Sequence, residues 1–179
     1  MARWSRTGSY GSIVRVDARS THAHNRRRKR LRLPPDLTER ILRRAFRGDA
    51  DVYRRFLETL RPATGNADIV LRGSAVTGES YREHEAFDAH GPGSSDLDLV
   101  LVGEDAFRHW VPSAFYLKGV NTVPISDRTP WVAPELETAR REAQFLVGRP
   151  VNIQAMARWF LELRAVMQGT PHVTLTEPD

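Results

Sequence analysis

The pattern of apolar and polar positions divides the chain at Pro34-Pro35. Residues 1–33 hold few apolar positions and no sustained period, so they read as a disordered leader. Beyond the prolines, Leu37, Ile41, Ala45 and Phe46 recur at helical spacing. Asp36 and Glu39 are placed as an acidic variant of a capping box, and Gly48 ends the pattern. Asp49 opens a second helix whose Val52, Tyr53, Phe56, Leu57 and Leu60 share a face. A turn is expected over 62–66 and a first core strand over 68–72.

Gly73-Ser74 predicts a short helix directly after that strand. Residues 79–94 form a polar connector with Gly91, Pro92 and Gly93, long enough for a small hairpin. A second strand is expected over 95–103. Its alternation holds to Leu99 and then becomes the continuous run Leu99-Val100-Leu101-Val102, the pattern of a strand covered on both faces. A short helix is expected over 105–111, and the prolines of 112–133 argue for a loop. Pro134 opens a helix with Leu136, Ala139, Ala143, Leu146 and Val147 on one side, ended by Gly148 and Pro150. Residues 151–156 read as a third strand. Residues 158–168 read as a final amphipathic helix with Trp159, Phe160, Leu163, Val166 and Met167 as its apolar candidates. Residues 34–169 then make one domain, with 170–179 as a tail.

Composition narrows the function classes. No run approaches the ~20 apolar residues that span a bilayer, and no apolar stretch of signal-peptide type follows the N-terminus. The chain contains no cysteine, which excludes disulfides and thiolate metal sites and fits a cytoplasmic protein. Charge is unevenly placed. Residues 1–33 carry ten Lys or Arg against one acid, Asp17, hence +9; the whole chain is +5, so the remainder is −4. The run Arg26-Arg27-Arg28-Lys29-Arg30-Leu31-Arg32 suits phosphate contacts with nucleic acid, and it equally suits a solvated, self-repelling tail.

The chemistry concentrates in two strand ends. In a strand, side chains at i and i+2 point to the same side, so Asp96 and Asp98 project together while Leu97, Leu99 and Leu101 face the other way. Paired carboxylates attract a hard divalent cation such as Mg2+ or Mn2+. The Gly73-Ser74 turn offers backbone N–H groups to a phosphate. Together they make a place to hold a nucleoside triphosphate.

A Gly-Ser turn after one strand, followed by Ser95-Asp96-Leu97-Asp98 on the next, resembles the DNA polymerase β-like nucleotidyltransferase superfamily. The resemblance covers roughly residues 36–156. It implies an α/β nucleotidyltransferase fold, a short mixed sheet flanked by helices. It further implies that Asp96 and Asp98 bind the metal and that Gly73 and Ser74 hold the triphosphate. Thr77, Ser95 and Lys118 are further nucleotide-binding candidates. Arg82 and Arg128 are candidates to neutralise phosphate charge, as is Arg72 unless it pairs with a carboxylate; Trp131 is a candidate to stack on a base. His84, Asp88 and His90 are a weaker metal-ligand grouping.

Many members of the superfamily carry a third carboxylate on a later strand. The matching segment here is Arg149-Pro150-Val151-Asn152-Ile153-Gln154-Ala155-Met156, in which Asn152 takes the acid's place. An amide oxygen can coordinate a metal, but it brings no negative charge and cannot serve as a base. The departure leaves the triphosphate-binding pair intact and removes the acid that helps activate the nucleophile. Arg72-Gly73-Ser74-Ala75-Val76-Thr77-Gly78, Ser80-Tyr81, Phe87-Asp88 and Gly148-Arg149-Pro150-Val151-Asn152 further resemble small bacterial nucleotidyltransferase-like domains, some of them toxins. The expected activity is Mg2+-dependent transfer of a nucleoside monophosphate from an NTP to a hydroxyl of RNA, protein or a small molecule. The alternative is a catalytically degenerate domain that binds nucleotide or RNA.

Overall fold

The computed structural model describes residues 35–81 and 83–175. The basic leader with its Arg26–Arg32 run, and Arg82, lie outside the described residues.

Two helices come first. Helix α1 spans Pro35–Phe46, starting ahead of the expected Asp36 cap. Helix α2 spans Ala50–Thr64, and the Asp49 carboxylate accepts hydrogen bonds from the Asp51 and Val52 amides at 2.8 and 3.0 Å. The expected turn at 62–66 starts later than its proline suggests. Pro62 lies inside the last turn of α2, where it removes the hydrogen bond an amide would make to the Glu58 carbonyl, and Gly65 closes the helix on the Arg61 carbonyl.

Strand β1 (Asp68–Arg72) runs into α3 (Ser74–Thr77), and β2 (Leu97–Val102) follows the connector. The helix expected over 105–111 is a single turn at 104–107, and further single turns stand at 112–114 and 130–132. Within the expected loop, β3 (Phe115–Leu117) and β4 (Asn121–Thr122) form a small hairpin. Helix α4 (Pro134–Val147), strand β5 (Val151–Ala155) and helix α5 (Arg158–Gln168) stand close to the expected bounds. The expected tail contributes β6 (Val173–Thr174).

The main sheet has the order β5-β2-β1-β6 and is mixed. β1 pairs antiparallel with β2 and with β6, whereas β2 and β5 run parallel. The fold is therefore mixed α/β, a small sheet flanked by helices.

Strand alternation sorts the core. Ile69 and Leu71, Leu97, Leu99 and Leu101, and Val151, Ile153 and Ala155 belong to one buried cluster with Ile41, Phe46, Phe56, Leu57 and Leu60 of the first helices and Leu136, Ala143 and Val147 of α4. The opposite side of the strands contributes Val70, Val100, Val102 and Met156, which pack with Leu161 of α5. This accounts for the continuous apolar run at the end of β2. Toward the other end of the same face stand Arg72, Asp98 and Asn152, one register row across three strands.

Helix α5 is rotated relative to its expected face. Leu161 is buried and Phe160 packs beside it, while Trp159, Leu163, Val166 and Met167 remain exposed. An ion pair from Arg158 to Asp68 of β1 and the Leu161 contact fix that rotation. Among the described residues, no helix is long and apolar enough to cross a membrane.

Candidate active site

Two strand ends and one turn build the site. β1 ends at Arg72, and Gly73 turns the chain into α3 with φ +76° and ψ −157°. That backbone region is open essentially to glycine alone. A Cβ at residue 73 would also stand 3.2 Å from Asp98 Oδ2, so the turn passes directly beside the carboxylate. The first helical bonds of α3 run from the Val76 and Thr77 amides to the Gly73 carbonyl, which leaves the Ser74 and Ala75 amides ahead of the ladder.

Asp96, Asp98 and Asn152 converge. The Asn152 Nδ2 donates to Asp96 Oδ2 at 2.5 Å and reaches Asp98 Oδ1 at 3.4 Å. Arg72 stands on the far side of Asp98, with Nη2 3.8 Å from Oδ2. Burial, with the Asp98 charge beside it, pushes the Asp96 carboxyl above its ordinary value. A backbone hydrogen bond within Asp96, the Asn152 amide and the Arg72 cation act in the opposite sense. Two residues further along β5, on the same face as Asn152, Gln154 is buried and its Nε2 has no hydrogen-bond partner.

These donors are all oxygens once the Asn152 amide turns its carbonyl inward, and such a set suits Mg2+ or Mn2+ better than a soft metal. Two carboxylates fill only part of an octahedral shell, which leaves positions for water and phosphate oxygens. Among the described residues no group of three His, Cys, Asp or Glu gathers as a metal cage.

A cavity of about 600 Å3 opens beside the pair, lined among others by Ser74, Ser95, Asp96, Asn152, Asp127 and Arg128. Connector residues, including Ser80, Glu85 and His90, form another part of its wall. A smaller depression of about 410 Å3, lined by Arg55, Arg141 and Phe145 among others, contains none of the site residues.

The structure brings Gly73, Ser74, Ser95, Asp96, Asp98 and Asn152 together, and Arg128 with them. It does not bring Lys118. That residue lies in the β3–β4 turn, and the neighbouring Val120 carbonyl receives the Ala157 amide beyond β5, at the end opposite Asn152. Thr77 turns its hydroxyl onto the Gly73 and Glu79 carbonyls at 3.2 and 2.7 Å, closing its own helix. Trp131 is exposed and does not line the cavity. His84 and His90 each face a glutamate, Glu79 and Glu85, and Asp88 is held by Arg149.

Two arginines escaped the sequence reading. Arg140 is fully buried within α4 and donates to Glu137, Asp127, Gln144 and the Val151 carbonyl. Arg149 is almost as buried and grips Asp88 with both terminal nitrogens, at 2.9 and 3.0 Å. Only the Gly148-Arg149-Pro150 context, beside a candidate site strand, pointed to Arg149; Arg140 follows a helical apolar pattern as any surface arginine can. No family model matches the chain, and neither a curated protein nor a solved structure matches it.

Proposed function

We infer that this domain is a nucleotidyltransferase of the polymerase β-like type, moving a nucleoside monophosphate from an NTP to an acceptor hydroxyl. The observation that carries the reading is the convergence of Asp96, immediately ahead of β2, and Asp98, within it, on the Asn152 amide, beside the Gly73-Ser74 turn and at the edge of a cavity of about 600 Å3. Asp96 and Asp98 are the residues that would hold Mg2+, which supplies positive charge against the phosphate oxygens when bound. Ser74 lines the cavity, and its amide, ahead of the first helical bonds of α3, would serve as a phosphate donor. Arg128 adds a cation to the cavity wall. In the transfer, a bond forms between the acceptor oxygen and the α-phosphorus, the bond to pyrophosphate breaks, and the acceptor proton leaves. Asn152 cannot take that proton, so it passes to a carboxylate or to solvent.

Asn152 also favours a second reading, a non-catalytic domain that binds nucleotide. Its amide reaches toward both carboxylates without adding charge. The test is incubation of the protein with each α-labelled NTP, Mg2+ or Mn2+, and an RNA and protein extract, beside the Asp96→Ala/Asp98→Ala double variant. Label transfer that requires both aspartates supports the transferase and identifies nucleotide and acceptor class together. NTP binding without transfer moves the reading to the binder, with Asn152→Asp as the next variant.

A further inference from the structure

We propose that Asp88 and Arg149 are the positioning pair of this site, fixing Asp96 and the connector wall of the cavity against Asn152; the inference rests on the nucleotidyltransferase reading above. Neither residue lines the cavity. Each acts through a neighbour that does.

Asp88 is the knot of the connector. Its carboxylate accepts from both Arg149 terminal nitrogens, from the Ser95 amide at 3.0 Å and from the Gly93 amide at 3.2 Å. Its own amide donates to the Ser95 hydroxyl at 2.8 Å. Asp88 holds φ at +59°, an uncommon conformation for a residue with a Cβ, and these bonds over-determine it.

Arg149 ties the same knot to the far strand. Nη1 also donates to the Ser95 carbonyl at 3.2 Å, and Nη2 to the Arg44 carbonyl at the same distance. The guanidinium carbon lies 4.7 Å from the centroid of the Phe87 ring. The backbones are in contact as well: a Cβ on Gly93 would stand 2.7 Å from the Gly148 carbonyl oxygen, and the Leu97 amide donates to the Pro150 carbonyl at 2.8 Å.

The consequence follows from chain position. Ser95 precedes Asp96, and Arg149 precedes Asn152 by three residues on the way into β5. A shift of Ser95 relative to Arg149 therefore changes the separation of Asp96 from Asn152. The same shift moves Ser94, Ala89 and His90, which line the cavity from the connector. Outer partners that orient metal-binding carboxylates typically govern metal affinity by 10–100-fold. A buried ion pair is by itself weak support for stability, whereas a fork-shaped guanidinium on a carboxylate fixes geometry.

The test is Mn2+ affinity, read by electron paramagnetic resonance on the full chain with a non-hydrolysable NTP analogue. Asp88→Asn keeps the shape and removes the charge; Arg149→Lys keeps the charge and removes the fork. Leu57→Ala, in the core under the opposite sheet face, serves as a variant that is only destabilised. Expected is a roughly 10–100-fold loss of Mn2+ affinity in both pair variants, with Leu57→Ala binding as wild type. Wild-type affinity in folded Asp88→Asn or Arg149→Lys overturns the positioning role and leaves the transferase reading standing. Absence of Mn2+ binding by the wild-type protein overturns the transferase reading itself, and the positioning role with it.

Discussion

Gly73 and Asp98 constrain one another at the residue scale. A side chain at position 73 would need a backbone conformation closed to it and would press on Asp98 Oδ2 at 3.2 Å. Gly73→Ala is therefore expected to cost about 1–3 kcal/mol from backbone strain and to abolish label transfer, checked by urea unfolding beside the transfer assay. Asp88 sets a pH dependence. Burial opposes its ionisation, but hydrogen bonds from Arg149, Ser95 and Gly93 outweigh that penalty and hold the carboxyl below its usual value. A carboxyl depressed in the folded state stabilises fully above the unfolded carboxylate range, and that contribution is lost as pH falls through the folded pKa. The urea midpoint of the wild-type protein should fall more steeply than that of Asp88→Asn between about pH 5 and pH 2. Parallel curves would remove Asp88 from the acid response. Strand alternation put Asp98 on its face of the sheet, because a period of two is a backbone property; Asp96 lies one residue ahead of β2 rather than within the strand expected over 95–103, and it meets Asp98 through the Asn152 amide. Lys118 was misplaced because a polar loop carries no such rule.

Helix α4 joins the strand end at the element scale. It was legible as a helix from its Leu136, Ala143 and Val147 stripe, but the most buried large side chain on it is Arg140. The Arg140 guanidinium bridges Glu137 on its own helix, Asp127 on the cavity wall and the Val151 carbonyl opening β5. Arg140→Ala leaves that carbonyl without its donor and empties a packed volume. Its expected cost is about 3–5 kcal/mol, in the range found when a buried pair loses one partner. Asp127→Asn should cost less, since its side chain is 55 % exposed; chemical unfolding of the two variants ranks them. Helix α5 teaches the complementary point. Its apolar residues supply more than one candidate inward face, and the Arg158–Asp68 pair with Leu161 selects the one that leaves Trp159 outside.

The whole molecule depends on a strand that only the assembled sheet reveals. β6 pairs with β1 opposite Val70 and Leu71, and Val173 and Leu175 are both buried. Without it, β1 becomes an open sheet edge immediately before the Gly73 turn. Truncation after Gly169 should cost roughly 3 kcal/mol or more from the two lost side chains and promote aggregation, read by thermal melting and light scattering. An unchanged melt would mean that β6 contributes nothing to the edge.

The sequence alone determined α2 and α4, along which burial of one face repeats, β1 and β2, which are short apolar runs buried on both faces, and β5, whose apolar and polar residues alternate. It also determined the carboxylate pair and the turn beside it, since both follow from neighbouring residues. Only the tertiary structure decided the β3–β4 hairpin and β6, whose strands of two or three residues are too short to show a period. The same holds for the burial of Arg140 and Arg149. A charged side chain enters a core when partners distant in sequence meet it there, as Asp88 meets Arg149 across 61 positions, and no local pattern encodes that meeting.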